Sequence, residues 1–122
     1  MITDTMLTQV AKALNNEAYT TSAYLAVTTD TDYSADPTDT TIGTEIGSRA
    51  AVSATRAGVV QSYSAIRSGA NVIGSPSDIL TGVGLFSAST VGDLSITVPL
   101  PSLSHTTSFD IEFNFEVTVS RR

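Results

Sequence analysis

The sequence predicts an all-β protein, an antiparallel β-sandwich preceded by one short α-helix. In residues 109–120 apolar and polar side chains alternate without a break, which is typical of an antiparallel strand with one buried face. Thr and Ser are abundant while charged residues make up only 15%, and Thr suits strands for the same steric reason as Val. Turn residues also recur about every ten positions, a spacing that favours a sandwich of about seven strands.

The 122 residues are expected to form a single domain, 1–122, because 41% hydrophobic residues can bury one core in a chain of this length. We divide it into a helix at 3–16 and a β-sandwich at 19–122. A polar loop is expected at 28–41. The chain has no internal repeat.

The helix at 3–16 is predicted from its ends and its periodicity. Thr3, Asp4 and Thr5 offer N-caps, and Asn15-Asn16 can end the helix. The apolar stripe at helical spacing consists of Met6, Leu7, Val10 and Leu14. A helix so short needs a tertiary contact, which either its own sheet or a neighbouring subunit could supply. We expect these four residues to form an oligomer interface.

The strands that follow can be placed in order along the chain. They are predicted at 19–27, at 41–47, in a hairpin of 49–56 and 59–66, at 79–87, at 94–98 and at 109–120. Pro99 and Pro101 predict a bend or an edge strand, because proline cannot donate a ladder hydrogen bond. Gly82 and Gly84 lie inside a strand pattern, which indicates a bulge or a close backbone approach.

The polar loop contains four carboxylates that could bind calcium. They are Asp30, Asp32, Asp36 and Asp39. The pattern of an EF-hand fails, since Ala35 stands where that loop needs Gly and Thr41 where it needs Glu. We therefore expect a solvated loop, with these carboxylates as the only metal candidates and with no cofactor.

No catalytic constellation can be recognised, so we expect a protein that is not an enzyme. His105 is the only His and lies in a Ser/Thr-rich segment, where an exposed loop position is expected. Neither a Cys nor a Gly-x-Ser-x-Gly elbow is present to supply a nucleophile. Glu45 and Arg49 are expected to pair across a turn. Glu112 and Glu116 are expected on the solvated outer face of the last strand.

The charge of the chain disfavours two classes of partner. A net charge of -6 and a single Lys argue against nucleic acid, which needs clustered cations. Residues 1–10 lack the pattern of a signal peptide, and no apolar run is long enough for a membrane span, so no membrane insertion is expected. An acidic, Lys-poor surface also suits a very salty medium, where salt screens self-repulsion.

Several segments occur together in an order that is familiar from one group of proteins. They are the N-terminal helix, Tyr24-Leu25-Ala26-Val27, the polar loop 28–41, Glu45 with Arg49, the hairpin, Val83-Gly84-Leu85-Phe86, and a final strand leading to the basic end Arg121-Arg122. This order resembles small virion proteins and fibre domains encoded among the tail genes of tailed viruses of bacteria and archaea. Thr28 to Asp32 replace the glycines that the group often carries after its first strand, and no separate receptor-binding tip is present.

The resemblance implies a non-enzymatic virion structural protein, part of the tail or tail fibre or of its attachment. The alternatives are a capsid-surface decoration or turret protein, or a receptor- or carbohydrate-binding module, with a cell-surface filament subunit less favoured. The expected partners are copies of the same chain, other virion proteins and a host surface receptor. The expected location is the virion, assembled in the host cytoplasm, and the acidic surface suggests a haloarchaeal host. A sugar platform would have to use Tyr19, Tyr33 or Tyr63.

Overall fold

The computed structural model describes residues 1–120, which form one short α-helix and six β-strands. The elements are α1 (Asp4–Leu14), β1 (Tyr24–Thr28), β2 (Ala50–Ala57), β3 (Val60–Arg67), β4 (Ser77–Phe86), β5 (Leu94–Thr106) and β6 (Ile111–Thr118). One 3-10 turn, Gly69–Asn71, follows β3. Arg121 and Arg122, the basic end included in the sequence resemblance, lie outside the described residues.

The six strands form a single antiparallel sheet in the order β5-β4-β1-β2-β3-β6. The sheet curls into a nearly closed, barrel-like shape whose two end strands, β5 and β6, do not pair within residues 1–120. The predicted β-rich chain with one short helix is confirmed. The predicted sandwich is not confirmed, because β1 pairs with both β4 and β2 and so joins all strands into one sheet.

Strand β1 and the second half of β4, residues 82–86, are covered on both faces. Towards the interior, the main buried side chains are Leu25, Val27, Ala65, Leu80, Val83, Leu85, Ile96 and Phe113. On the outer side a second cluster consists of Ala26, Ile42, Phe86 and Leu94, with Tyr33 packed against it. The long segment between β1 and β2 supplies Tyr33 and Ile42, so it forms an outer layer over these two strands.

The two glycines of β4 allow this outer layer to approach. A Cβ at Gly82 would collide with the ring of Tyr33, and a Cβ at Gly84 would lie 2.7 Å from Ile42 Cγ2. The pairing of β4 with β5 also shifts register between Leu80 and Gly82. The bulge and the close approach predicted from these glycines are both confirmed.

The β2-β3 hairpin extends beyond the end of β1. It turns at Gly58, whose φ of +59° favours glycine. β2 pairs with β1 only at Ala50 and Ala51, and residues 53–57 are exposed. On its other side, β3 pairs with β6 along the whole length of both strands.

Several predicted elements differ from the structure. The strand predicted at 41–47 does not form, because in this segment only Glu45 makes a bridge, an isolated one with Thr28. β1 begins at Tyr24 and not at residue 19. Phe109 precedes β6 and is 44% exposed, because the 107–110 connection turns before the last strand begins. β5 continues through Pro99 and Pro101, which it can do because it is an edge strand, as these prolines predicted.

The alternation in β6 generates a first prediction. Phe113 is 8% exposed and packs in the interior, whereas Asn114 is exposed on the other face. Phe113→Ala is expected to lower the free energy of unfolding by about 3–5 kcal/mol through the cavity it leaves, and Asn114→Ala by less than about 1 kcal/mol. Urea denaturation at low protein concentration measures both, and equal losses would contradict the facing of β6.

Candidate functional site

Helix α1 is anchored to the sheet through its N-cap. The hydroxyl of Thr3 accepts from Met6 N–H at 3.2 Å and donates to the carbonyl of Leu94 at 2.5 Å. Asp4 N–H donates to the Pro37 carbonyl of the outer layer at 2.7 Å. Residues 1–3 also pair with β5, where Ile2 faces Ile96. The helix is therefore fixed beside the start of β5.

The predicted interface residues divide into one that docks and three that are exposed. Met6 is half-buried and packs against the interior cluster. Leu7 is 58% exposed, Val10 47% and Leu14 86%. The stripe thus uses one side for its own sheet and presents the other to solvent. Its predicted role as an oligomer interface stays a prediction.

A small cavity of about 150 Å³ lies between α1 and residues 19–22. Its lining is mostly apolar and includes Met6, Tyr19 and Tyr63. At its rim Asp93 accepts hydrogen bonds from Gln9 at 3.4 Å and from Thr20 at 2.8 Å. A typical small-molecule site occupies roughly 300–1,000 Å³. This cavity is smaller, so it has room for a ligand of about one ring.

The four candidate calcium ligands are not brought together. Asp30 accepts from Thr44 N–H at 2.9 Å, Asp36 accepts from Thr38 N–H at 2.8 Å, and Asp39 accepts from Asp36 N–H at 2.9 Å. Asp32 is exposed. Their carboxylates thus act mainly as local turn formers. Residues 1–120 contain no group of three or more His, Asp or Glu residues that could hold a metal ion.

Tyr33, one of the three rings considered for a sugar platform, is in the outer layer instead. Its ring lies over Gly82, and its hydroxyl is buried without a hydrogen-bond partner among residues 1–120. Burial, with a smaller contribution from the Asp39 carboxylate, raises the pKa of Tyr33 to about 12. Tyr33 therefore serves packing, while Tyr19 and Tyr63 both reach the cavity beside α1.

The predicted pairing of Glu45 with Arg49 is confirmed. Two hydrogen bonds, at 2.6 and 2.8 Å, join the guanidinium of Arg49 to the Glu45 carboxylate in the bidentate geometry that favours such pairs. The same guanidinium lies 3.8 Å from the centre of the Phe86 ring and donates to the carbonyls of Ala88 and Val91. This pair therefore locks the outer layer onto the end of β4.

A buried polar cluster joins three strands at the other end of the sheet. Arg67 of β3 donates to Asp78 of β4 at 2.8 Å and lies 2.6 Å from Nδ1 of His105 on β5. The exposed fractions of these residues are 2%, 5% and 0%. Since a guanidinium can only donate, His105 accepts at Nδ1 and donates from Nε2 to the Phe109 carbonyl at 2.7 Å. The expected exposed loop position of His105 is wrong, because this histidine is a strand residue held by Arg67.

Asp78 supplies the carboxylate of the cluster, and Arg67 is not its only partner. It also accepts from Ile73 N–H at 3.0 Å and from Gly74 N–H at 2.7 Å. Burial acts to raise the pKa of Asp78, but the hydrogen bonds from Ile73, Arg67 and Gly74 and the charge of Arg67 outweigh it and hold the pKa below its ordinary value. These contacts hold β4 to Arg67 of β3 and to the turn at residues 73–74, so the cluster has a structural role.

Most of this cluster has no signal in the sequence. Arg67 and His105 are 38 positions apart, and their contact depends on strand order across the sheet. A partial signal was present in the Gly74-Ser75-Pro76 turn, which precedes Asp78 and places its carboxylate beside the turn amides.

Comparisons with protein-family models, with curated proteins and with solved structures find no match for this chain. The resemblance to virion proteins therefore stays a prediction from the order of sequence segments. In the part of the chain that the structure describes, no helix has the length and apolar character needed to span a bilayer.

The lowered pKa of Asp78 generates a second prediction. A depressed carboxyl pKa contributes stability above the pKa of the unfolded state, about 3.9, and this contribution is lost as the pH falls through the folded-state pKa. Asp78→Asn should therefore lower the free energy of unfolding at pH 7 by about 3–5 kcal/mol, since it leaves Arg67 buried without its carboxylate. The difference from the unmodified protein should shrink below about pH 4.

The free energy of unfolding is measured by chemical denaturation at pH values from about 2.5 to about 7, in steps of about one unit. Asp32→Asn is the matched control, because Asp32 is exposed and should change stability little at any pH. A constant gap between Asp78→Asn and the unmodified protein across the whole series would contradict the proposed role of the carboxylate.

Proposed function

We propose that this chain is a non-enzymatic virion structural protein of a tailed virus that assembles as a homo-oligomer, in the tail or fibre or on the capsid surface. The observation that carries the assembly part is the apolar side of α1. Leu7, Val10 and Leu14 are each about half exposed or more on a helix whose position is fixed by Thr3.

Solvent exposure of these side chains is costly enough to favour a partner. Covering a Leu or Val side chain contributes roughly 1.5–3 kcal/mol when burial is complete, so three partly exposed ones can add several kcal/mol to an association. A helix held rigidly by its N-cap also loses little conformational entropy on binding. Copies of the same chain are the partner we propose, because subunits around a shared axis bury repeated apolar patches.

The virion assignment is supported by the order of sequence segments that resembles small virion proteins and fibre domains. The acidic surface, with a net charge of -6, suits a protein that works in a salty medium. For the same reason we propose that the virus infects a haloarchaeal host. Other virion proteins and a host surface receptor are the proposed further partners.

A saccharide-binding module is the second candidate, and the cavity beside α1 is the observation that favours it. Tyr19 and Tyr63 line this cavity, and the carboxylate of Asp93 and the amide of Gln9 lie at its rim. Aromatic faces beside hydrogen-bonding groups suit a sugar ring. We rank this function second because Asp93, Gln9 and Thr20 already bond to one another.

A helix variant tests the assembly. Leu7→Ser combined with Val10→Ser should lower the oligomeric state measured by size-exclusion chromatography with light scattering, while the β-sheet circular dichroism stays nearly unchanged, since neither residue is buried in the monomer. Thr8→Ser combined with Lys12→Ser is the control on the opposite side of α1. An unchanged oligomer, or outright unfolding of the first variant, would contradict this interface. A monomeric unmodified protein that binds saccharides would favour the second candidate.

Particles purified from the culture whose genome encodes the chain test the virion assignment. Quantitative mass spectrometry should find the protein in the particle fraction in a fixed ratio to the major virion proteins, because a structural component has a fixed copy number. The soluble lysate of the same culture serves as the control. Recovery in the lysate alone would contradict a virion location.

A further inference from the structure

Strand β6 has an unprotected edge. Within the described residues it pairs only with β3, and its other side borders an open groove of about 550 Å³ between β6 and β5. Proteins usually blunt such edges with Pro, with charged side chains, Lys above all, or with a bulge. On the β5 side Pro99 and Pro101 do so, whereas Ile111–Thr118 contains no Pro, Gly or Lys, and its two charged residues, Glu112 and Glu116, both lie on the exposed face and not towards the interior. The backbone groups along this side of β6 are therefore open to another strand.

Apolar side chains surround the same edge. Phe115 and Val117 are only half-buried, and both line the groove. Met1 and Ile2 line its other side and are 49% and 39% exposed. A strand added to β6 would cover these side chains while it satisfied the free backbone groups, so apolar burial and hydrogen bonding favour the same occupant.

We propose that the occupant is β6 of a second copy of this chain, paired antiparallel about a two-fold axis that passes beside Phe115. In this register Phe115 faces its own copy, and Phe113 faces Val117. On the outer face Asn114 lies opposite Glu116, where its amide can donate to the carboxylate, and Glu112 lies opposite Thr118. Ile111 lies opposite Val119, which directly follows the strand, so every apolar residue of β6 meets an apolar residue.

The charges of β6 exclude the neighbouring registers. An axis at Asn114 would place Glu112 opposite Glu116, and an axis at Phe113 would place Asp110 opposite Glu116. An axis at Glu112 or at Glu116 would set that carboxylate against its own copy. Like charges directly opposite destabilise a strand pair.

The remaining registers fail for other reasons. An axis at Val117 would leave most of β6 unpaired, because the strand ends at Thr118. An axis between two residues would set the apolar face of one strand against the polar face of the other. Only the axis at Phe115 joins a long overlap to compatible charges.

This inference rests on the proposed function, in which the chain forms a homo-oligomer, and it identifies a contact surface separate from the α1 stripe.

Two substitutions of one exposed residue test the β6 contact. Asn114→Glu should weaken self-association about tenfold, because it sets two Glu–Glu pairs across each dimer, and Asn114→Lys should strengthen it by a similar factor. Ser53→Glu is the control, because it adds the same charge in the same row of the sheet, two strands away. Analytical ultracentrifugation over a range of concentrations and salt measures all three.

Disulfide cross-linking tests the register, since the chain contains no Cys. Protein carrying Asn114→Cys, mixed with protein carrying Glu116→Cys, should form a cross-linked dimer under mild oxidation, whereas each variant alone should cross-link much less. Facing positions in an antiparallel pair lie within disulfide reach, and positions two residues out of register do not.

The outcomes separate this contact from the proposed function. If Asn114→Glu and Asn114→Lys associate alike, or if the mixture cross-links no better than its components, the β6 contact is overturned. If Leu7→Ser with Val10→Ser abolishes association while Asn114→Glu leaves it intact, the β6 contact is overturned and the helix-mediated assembly stands. A shift with Asn114→Glu that is absent with Ser53→Glu, together with cross-linking in the mixture, supports it.

Discussion

The guanidinium of Arg67 bridges the gap in a sheet that backbone hydrogen bonds do not close into a barrel. β3 and β4 are separated by two strands in the sheet, and β5 and β6 do not pair within the described residues, yet Arg67 contacts Asp78 of β4 and His105 of β5. Replacing a buried ion pair by apolar side chains is often neutral, whereas removing one partner costs about 3–5 kcal/mol. What Arg67 contributes beyond stability is position, because the directional bonds of a guanidinium fix where three strand ends lie.

The opposite end of the sheet is closed by α1. Phe86 pairs with Leu94 at that end, and Asp78 pairs with His105 at the Arg67 end, so the two closures lie at opposite ends of the β4-β5 pair. Met6 packs into the interior, while Thr3 fixes the helix to Leu94. The interior core lies between these closures, and the outer cluster around Ile42 and Phe86 adds further buried apolar side chains. The glycines of β4 are therefore required by the two-sided covering of that strand.

Local patterns in the sequence predicted the elements, and contacts distant in sequence determined how they combine. The helix, the hairpin that turns at Gly58 and the alternation of β6 each depend on neighbours a few residues apart, and all three are present. Whether the strands close on themselves or separate into two sheets depends on β1 pairing with both β2 and β4, which no local pattern specifies. For the same reason His105 was expected in an exposed loop. In the candidate site, the helical stripe was predicted, but the cavity lined by Tyr19 and Tyr63 was not, because it forms between segments far apart in the chain.

The two proposed contact surfaces differ in symmetry, and this difference limits what the chain can build. Pairing of β6 with its own copy is isologous, so it uses up both edges and stops at a dimer. The α1 stripe can instead meet a different surface of the next subunit, a heterologous contact that continues into a ring or a filament. The two surfaces lie on separate elements. Helix α1 is fixed beside the start of β5, whereas the free edge of β6 borders a groove whose other side is lined by Met1 and Ile2. A chain with one surface of each kind can form rings or filaments whose subunits are also joined in pairs, which is an arrangement suited to a repeated structural component.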